Sequence, residues 1–329
     1  MRAAVVTEWG EIPRYTEFPD PQPHDGGVVA TVEASALTNL TRGLVSGKHY
    51  ASKELQLPTV PGVDGVARLE DGRRVYTGAI APYGMMAERT LISPEGGFAL
   101  PDGVDSITAA AIPNPGVSAW ISLEHGAELR HGGNLLVLGA TGVTGSMAVQ
   151  LAKSVFGAGR VVAAGRDVTR LDWLGTVGAD ESIVLGGDDV GDRVAEMHTE
   201  RPFDVVLDYL WGPPAEQVLE ALSASHSSAH YHRTRFIQIG SMAGPTLTLP
   251  AGILRGNGIV ISGVGLGSVP PEVMGRSRAE ALPRLFGMVT SGELQLRTLA
   301  RPLTEVEQAW TTAEPSGTRV VLTTNRRHA

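Results

Sequence analysis

Gly139, Gly142 and Gly145 stand between an apolar run, Leu135–Leu138, and a stretch in which Met147, Ala148, Leu151 and Ala152 recur at helical spacing. That order predicts a buried strand, a tight turn and a helix. The free N–H groups and positive dipole end of such a helix form a socket for a pyrophosphate. The pattern departs from a strict G-x-G-x-x-G: Ala140 takes the first glycine position, followed by Gly142 and Gly145. A plain strand–helix turn is the competing reading. Thr141, Val143 and Thr144 are the residues expected to offer backbone N–H or hydroxyl groups to the pyrophosphate.

A second apolar run, Arg160–Gly165, ends about twenty residues past the last glycine, where dinucleotide folds place the residue that reads the adenosine ribose. A site for NAD carries Asp or Glu there. This chain has Gly165 followed by Arg166, with Arg170 one helical turn later. Loss of the carboxylate removes repulsion toward a 2′-phosphate, and a guanidinium can pair with phosphate through two hydrogen bonds. The expectation is NADPH, with a solvated surface arginine as the alternative for Arg166. Asp167 complicates it, since its carboxylate sits beside the proposed phosphate.

The elements that must position these residues follow from composition and rhythm. The chain has 329 residues, 42% of them hydrophobic, enough for two domains and a substantial core. No window approaches the apolar length needed to span a bilayer. MRAAVVTEWG reads as an alternating strand without a signal-peptide core, so a cytoplasmic location is the default expectation. The net charge of −8 argues against nucleic acid as a partner. There is no cysteine, which removes disulfides, iron–sulfur clusters, thiol nucleophiles and thiolate zinc sites together.

Residues 1–115 are rich in short alternating runs, Pro and Gly, and predict a compact β unit. Strand–helix alternation then takes over. Strands are expected at Leu135–Leu138, Val161–Ala164, Ser182–Leu185, Val205–Leu207, Phe236–Ile239 and Ile259–Val264. Such alternation predicts an α/β domain with a doubly wound parallel sheet. The tail holds a helix and a closing strand at Arg319–Thr323.

Several segments in sequence order resemble one family. They are the opening MRAAVVTEWG, ATVEASALTNLTRGLVSGKHY, PGVDGVARL with GRRVY, FALPDGVDSITAAAIPNPGVSAW, VLGATGVTGSMAVQLAK, VGADESIVL and RPLTEVEQAW with GTRVVLT. The chain is identified by them as similar to the medium-chain dehydrogenase/reductase superfamily, in its zinc-free quinone oxidoreductase branch. The resemblance implies a GroES-like β domain, residues 1–115 and 266–329, interrupted by a Rossmann domain at 116–265. Zinc-dependent members carry Gly-His-Glu where this chain has Gly62-Val63-Asp64, and they supply cysteine ligands that are absent here. No metal is expected.

The resemblance also names residues. It implies that Asn39 and Tyr50 face the nicotinamide and substrate. Asn39 would hold the ribose or the carbonyl, or serve a turn. Tyr50 would donate a proton or only shape the pocket, with water as the acid. Asn114 and Ser118 bracket the passage between domains, and Ser118 is either near the nicotinamide or an N-cap for the helix holding Trp120. Gly240 and Ser241 are expected beside the nicotinamide ribose, beyond the carboxyl end of a strand. Gly265, within GVGLGS, is expected at the nicotinamide end. Tyr209 either touches the cofactor or is buried against the sheet. His226, His230 and His232 have a spacing that invites a metal reading, but no carboxylate lies inside the cluster. Asp102-Gly-Val-Asp105 reads as a loop before a helix capped by Asp105 or Ser106.

The expected activity is zinc-independent, NADPH-dependent hydride transfer to a quinone or an α,β-unsaturated carbonyl compound. Two alternatives remain: an enoyl reductase dedicated to one metabolite, and an NADPH-binding sensor or structural protein without turnover. Side chains such as Met85, Met86 or Trp211 blocking the site would favour the second. A homodimer joined through the open edge strand at Gly258–Val264 is expected.

Overall fold

The computed structural model describes residues 1–24, 26–95, 97–187, 189–224 and 231–324. The chain opens with an antiparallel pair, β1 (Arg2–Val5) and β2 (Arg14–Glu17), then β3 (Val28–Ala36), α1 (Asn39–Val45) and a 3-10 turn at Tyr50–Glu54. Next come β4 (Asp64–Arg68), β5 (Arg74–Gly78), β6 (Arg89–Ile92), β7 (Phe98–Ala99), α2 (Ser106–Ala111) and α3 (Pro113–Ile121). Alternation follows: β8 (Asn134–Leu138), α4 (Val143–Ser154), β9 (Arg160–Gly165), α5 (Val168–Val177), β10 (Glu181–Val184) and α6 (Val190–Glu200). It continues with β11 (Val205–Asp208), α7 (Gly212–Ala224), β12 (Arg233–Gln238), α8 (Ala251–Gly256) and β13 (Gly258–Gly263). The chain ends with α9 (Pro271–Ser291), β14 (Arg297–Pro302), α10 (Val306–Thr311) and β15 (Thr318–Thr323).

Two compact units result, Met1–Asn114 with Leu282–Ala329, and Pro115–Ala281. The second crossing falls within α9, between Ala281 and Leu282, later than the boundary at 266 that the resemblance implies. In the first unit, β14-β15-β3-β4-β5-β7 form a mixed sheet, with β6 also paired to β3. The late strands β14 and β15 thus complete a sheet begun by β3, which explains the closing strand at the tail.

In the second unit all six strands are parallel, in the order β10-β9-β8-β11-β12-β13. The order reverses at β8, between β9 and β11, the switch point beyond which ligands bind in doubly wound sheets. Leu135–Leu138 are fully buried, as a strand covered on both faces must be. Alternation divides them. Leu136 and Leu138 join Val162, Ala164, Val206 and Phe236 in one cluster with Val194 of α6 and Val218 and Leu219 of α7. The β12 strand starts earlier than its apolar run because Thr234, in the polar stretch before Phe236, is buried and donates to the Phe203 carbonyl at 2.7 Å.

α4 packs on β8 and β9. A Cβ on Gly145 would lie 2.3 Å from the Gly139 carbonyl oxygen, so only glycine lets the first turn of α4 come this close. At the other end of the sheet, the half-buried His198 accepts from the Phe203 N–H at 3.0 Å. Burial, with His232 alongside, pushes its pKa down to about 4, against a weaker opposite pull from Asp204.

These contacts set up opposite outcomes for two glycine substitutions. Gly145→Ala should destabilise by about 1–3 kcal/mol, because backbone must yield. Gly175→Ala, in α5 with nothing near the added carbon, should stabilise by about 0.5–1 kcal/mol. Denaturant midpoints measure both, and equal effects of the two substitutions would refute the close approach. His198 is neutral in the fold at a pH where the unfolded chain protonates it. Its contribution is therefore present above pH 6.5 and lost as pH falls toward about 4. Over that window the native chain should lose about 1–2 kcal/mol more than His198→Asn, after allowance for solvent screening. Parallel loss in both proteins would contradict it.

Candidate dinucleotide site

At the carboxyl edge of the parallel sheet, β8 leads into a turn pinned to its neighbour. The N–H groups of Gly139 and Ala140 both donate to the Ala164 carbonyl of β9, each at 2.9 Å. Gly139 has φ +82°, and the Gly142 N–H closes the turn on the Gly139 carbonyl at 3.0 Å. Gly142 is the N-cap of α4, and no side chain caps it. The N–H groups of Val143, Thr144 and Gly145 therefore lie in the first turn of a twelve-residue helix with its positive end uncovered. Gly142, Val143 and Thr144 are half-buried, and Thr141 is buried.

The next strand end explains the missing carboxylate. A Cβ on Gly165 would lie 2.4 Å from Cγ2 of Thr141, so Thr141 fills the space a side chain would need. Arg166 follows and is exposed. The Asp167 carboxylate is turned to its own helix: Oδ1 accepts from the Arg170 N–H at 3.1 Å as the N-cap of α5. Arg170 is buried, its guanidinium carbon 3.9 Å from the ring centroid of Trp173. Of the two arginines, Arg166 is the one presented to solvent.

Across the switch point, β11 ends at Asp208, a residue that the sequence reading passed over. It is fully buried. Its Oδ1 accepts from the N–H groups of Leu210 at 2.8 Å and Trp211 at 3.0 Å. Burial pushes its pKa up to about 6, and those N–H groups pull against the rise. The available signal was an aspartate two residues before a Leu-Trp-Gly turn, the spacing of an Asx turn. Tyr209 is buried, and its hydroxyl has no hydrogen-bond partner among the described residues. Burial raises its pKa. Beyond β12, the Gly240 N–H donates to the Asp208 carbonyl at 3.1 Å, and Ser241 is exposed. Gly265 lies past the end of β13, its N–H donating to Ser268 Oγ at 2.8 Å.

Ala140, Thr141, Gly142, Val143, Thr144, Gly165, Arg166, Tyr209, Gly240 and Ser241 thus meet at the carboxyl ends of four adjacent strands. Three features there suit a dinucleotide: the uncapped helix terminus, the glycines that bring backbone to the surface, and the buried Tyr209 hydroxyl lacking a protein partner.

Ser118 lies within α3 rather than at its start, which removes the N-cap alternative. Pro113 and Pro115 occupy the first turn of that helix, where no N–H is required. Asn114 is half-buried in the same turn. Asp105, not Ser106, caps α2, with Oδ1 accepting from the Thr108 N–H at 2.9 Å. In the first unit, Asn39 opens α1 and is exposed. Tyr50 opens the 3-10 turn, 59% exposed, its ring 4.2 Å from that of His49. The Ser52 hydroxyl ties this turn to α1 by donating to the Leu44 carbonyl at 2.9 Å. Met85 and Met86 are fully buried in the unit's own apolar clusters. Trp211 is half-buried.

The Asp64 carboxylate is buried and accepts from the Tyr76 hydroxyl at 2.6 Å. Burial pushes the nearby Arg319 guanidinium down to about 10, against the pull of Asp64. Among the described residues, no three or more His, Asp or Glu side chains gather as a metal site. His226 and His230 lie outside the described residues; Nε2 of His232 is 3.1 Å from the Phe203 carbonyl.

A family model described as zinc-binding dehydrogenase matches residues 143–275. The chain is 33% identical over 231 residues to a 2-methylene-furan-3-one reductase of Solanum lycopersicum, covering 63% of this chain and 56% of that protein. It is 29% identical over 271 residues to a quinone oxidoreductase of Homo sapiens, covering 73% of each. The chain spans little more than half the length of several curated relatives it matches, as the 56% shows. The quinone oxidoreductase of Thermus thermophilus, solved also with NADPH, superposes with a TM-score of 0.80 at 27% identity, over 98% of this chain and 100% of that one. The two units therefore have the GroES-like and Rossmann folds of those relatives. Fold, strand order and sequence together support the medium-chain dehydrogenase/reductase superfamily, in its quinone oxidoreductase-like branch, as the family this chain resembles.

Proposed function

We propose that the protein is an NADPH-dependent oxidoreductase that reduces a quinone or an α,β-unsaturated carbonyl compound without zinc. The observation that carries the proposal is the uncapped N-terminus of α4 beside Gly165 and exposed Arg166. The N–H groups of Val143, Thr144 and Gly145 would hold the pyrophosphate. Arg166 would pair with the 2′-phosphate, and Thr141 against Gly165 leaves no room for the carboxylate that would select against it. Tyr209, Gly240 and Ser241 would hold the nicotinamide ribose, with Gly265 and Asn114 as further candidates. Arg170, stacked on Trp173, would support the Arg166 side from beneath.

When bound, the cofactor supplies the hydride. Reduction of a polarised double bond builds negative charge on the acceptor oxygen, and a hydrogen-bond donor there lowers the barrier. Asn39, Tyr50 and Ser118 are the proposed groups around the acceptor. Asn39 would donate from its amide, and Tyr50 would donate from its phenol or leave the proton to water. The lack of cysteine and the Val63 in place of the family's histidine support chemistry without zinc. The burial of Met85 and Met86 away from solvent supports an enzyme over a blocked binding protein. A homodimer through the outer edge of β13, in a cytoplasmic setting, completes the proposal; light scattering tests the assembly.

The direct test is loss of reduced-nicotinamide absorbance with NADPH and with NADH, against a panel of quinones and enones, with and without a chelator. Chelator-insensitive turnover with NADPH is expected. Tight NADPH binding without turnover on any acceptor would favour the sensor reading. Arg166→Ala should weaken NADPH binding about tenfold or more and NADH binding little, since a charge-assisted pair to phosphate is lost. Equal losses would remove Arg166 from the 2′-phosphate.

A further inference from the structure

Asp208 is a buried carboxylate at the carboxyl end of β11, on the switch-point side of β8. Both its oxygens reach the backbone that follows: Oδ1 takes the Leu210 and Trp211 N–H groups, and Oδ2 is 3.2 Å from the Trp211 N–H. The backbone so held is strained. Trp211 has φ +56° and Gly212 has φ +58°, two successive left-handed residues, the first with a bulky side chain. A carboxylate accepting adjacent N–H groups is the device that keeps such a turn in place.

This turn touches both neighbouring strand ends. The space beside Gly240 is filled by the Tyr209 carbonyl, 2.6 Å from where a Cβ would stand. The Ala243 N–H donates to the Leu210 carbonyl at 2.8 Å. On the other side, the Leu210 side chain lies 3.0 Å from where a Cβ on Gly139 would stand. The position of the turn therefore sets the Gly240–Ser241 backbone directly. Toward the pyrophosphate turn it presents the Leu210 side chain and the Tyr209 Cβ, the latter 3.3 Å from where a Cβ on Gly139 would stand, with the Tyr209 N–H held by the Leu138 carbonyl at 3.1 Å as part of the sheet.

We infer that Asp208 is a positioning residue for the nicotinamide half of the cofactor: its carboxylate holds the Tyr209–Gly212 turn, and through it the Tyr209 hydroxyl and the Gly240–Ser241 backbone. This rests on the dinucleotide reading of the site. The bland rival is a carboxylate that merely starts α7 and has no bearing on a ligand.

The test compares Asp208→Ala and Asp208→Asn with the native chain, by calorimetric titration of NADPH and of 2′,5′-ADP, which carries only the adenosine end. Asp208→Asn keeps an Oδ1 acceptor for both N–H groups, and Asp208→Ala removes it. Asp208→Ala should bind NADPH about tenfold more weakly while 2′,5′-ADP stays within about twofold, and Asp208→Asn should stay near the native chain for both. NADPH affinity unchanged in Asp208→Ala, loss of both ligands together, or failure of Asp208→Asn to rescue would each overturn the inference. If the native chain binds neither NADPH nor 2′,5′-ADP, it is the dinucleotide reading that fails. Native binding with an unaffected Asp208→Ala removes only the role of Asp208.

Discussion

A side-chain carbon on Gly145 would stand 2.3 Å from the Gly139 carbonyl oxygen and 2.8 Å from the Ala140 Cα. The first turn of α4 can rest on the end of β8 only because that carbon is missing. Close approach leaves the helix N-terminus facing the strand end, and its N-cap, Gly142, has no side chain to cap it. The first-turn N–H groups then carry the positive end of the helix dipole and have no intrahelical acceptor. An anion is the natural occupant, and the switch point in the strand order places the opening beside it.

The neighbouring strand ends are built on the same plan. At β9, Thr141 occupies the space of a side chain at Gly165, and the Asp167 carboxylate is engaged in capping α5. That leaves Arg166 as the exposed charge. At β11, the Asp208 carboxylate is occupied by the backbone of its own turn, and the Tyr209 hydroxyl has no hydrogen-bond partner among the described residues. Asp167 and Asp208 thus both serve the chain's own N–H groups. Among the described residues, backbone donors, Arg166 and the Tyr209 phenol are among the groups left for a ligand. The site is one of orientation, which is what the proposed hydride transfer would ask of a protein.

Most of this half was legible in the sequence, because parallel strands covered on both faces read as continuous apolar runs, and glycine marks where backbone must come close. Leu135–Leu138 and the glycines after it declare themselves locally. What was not legible depends on partners far along the chain. The fit of Thr141 against Gly165 is a contact between the turn after β8 and the last residue of β9. Asp208 looked like an ordinary loop residue, since its burial and the left-handed Trp211 follow from the sheet around it. The passage bracketed by Asn114 and Ser118 is helical, its prolines sitting in the first turn, where a helix tolerates them. The first unit was harder: β3 pairs with β15 almost three hundred residues later (Ala36 with Val321), and no local pattern encodes such pairing.

Hydrogen–deuterium exchange with and without NADPH bears most directly on the claim that a helix terminus and three strand ends form one dinucleotide socket. The account predicts that NADPH slows exchange at the backbone N–H groups of Val143–Gly145, Arg166 and Gly240–Ser241 together, with the amino ends of the same strands unchanged. Binding of NADPH that leaves the start of α4 unprotected, or that protects a different edge of the sheet, would contradict it.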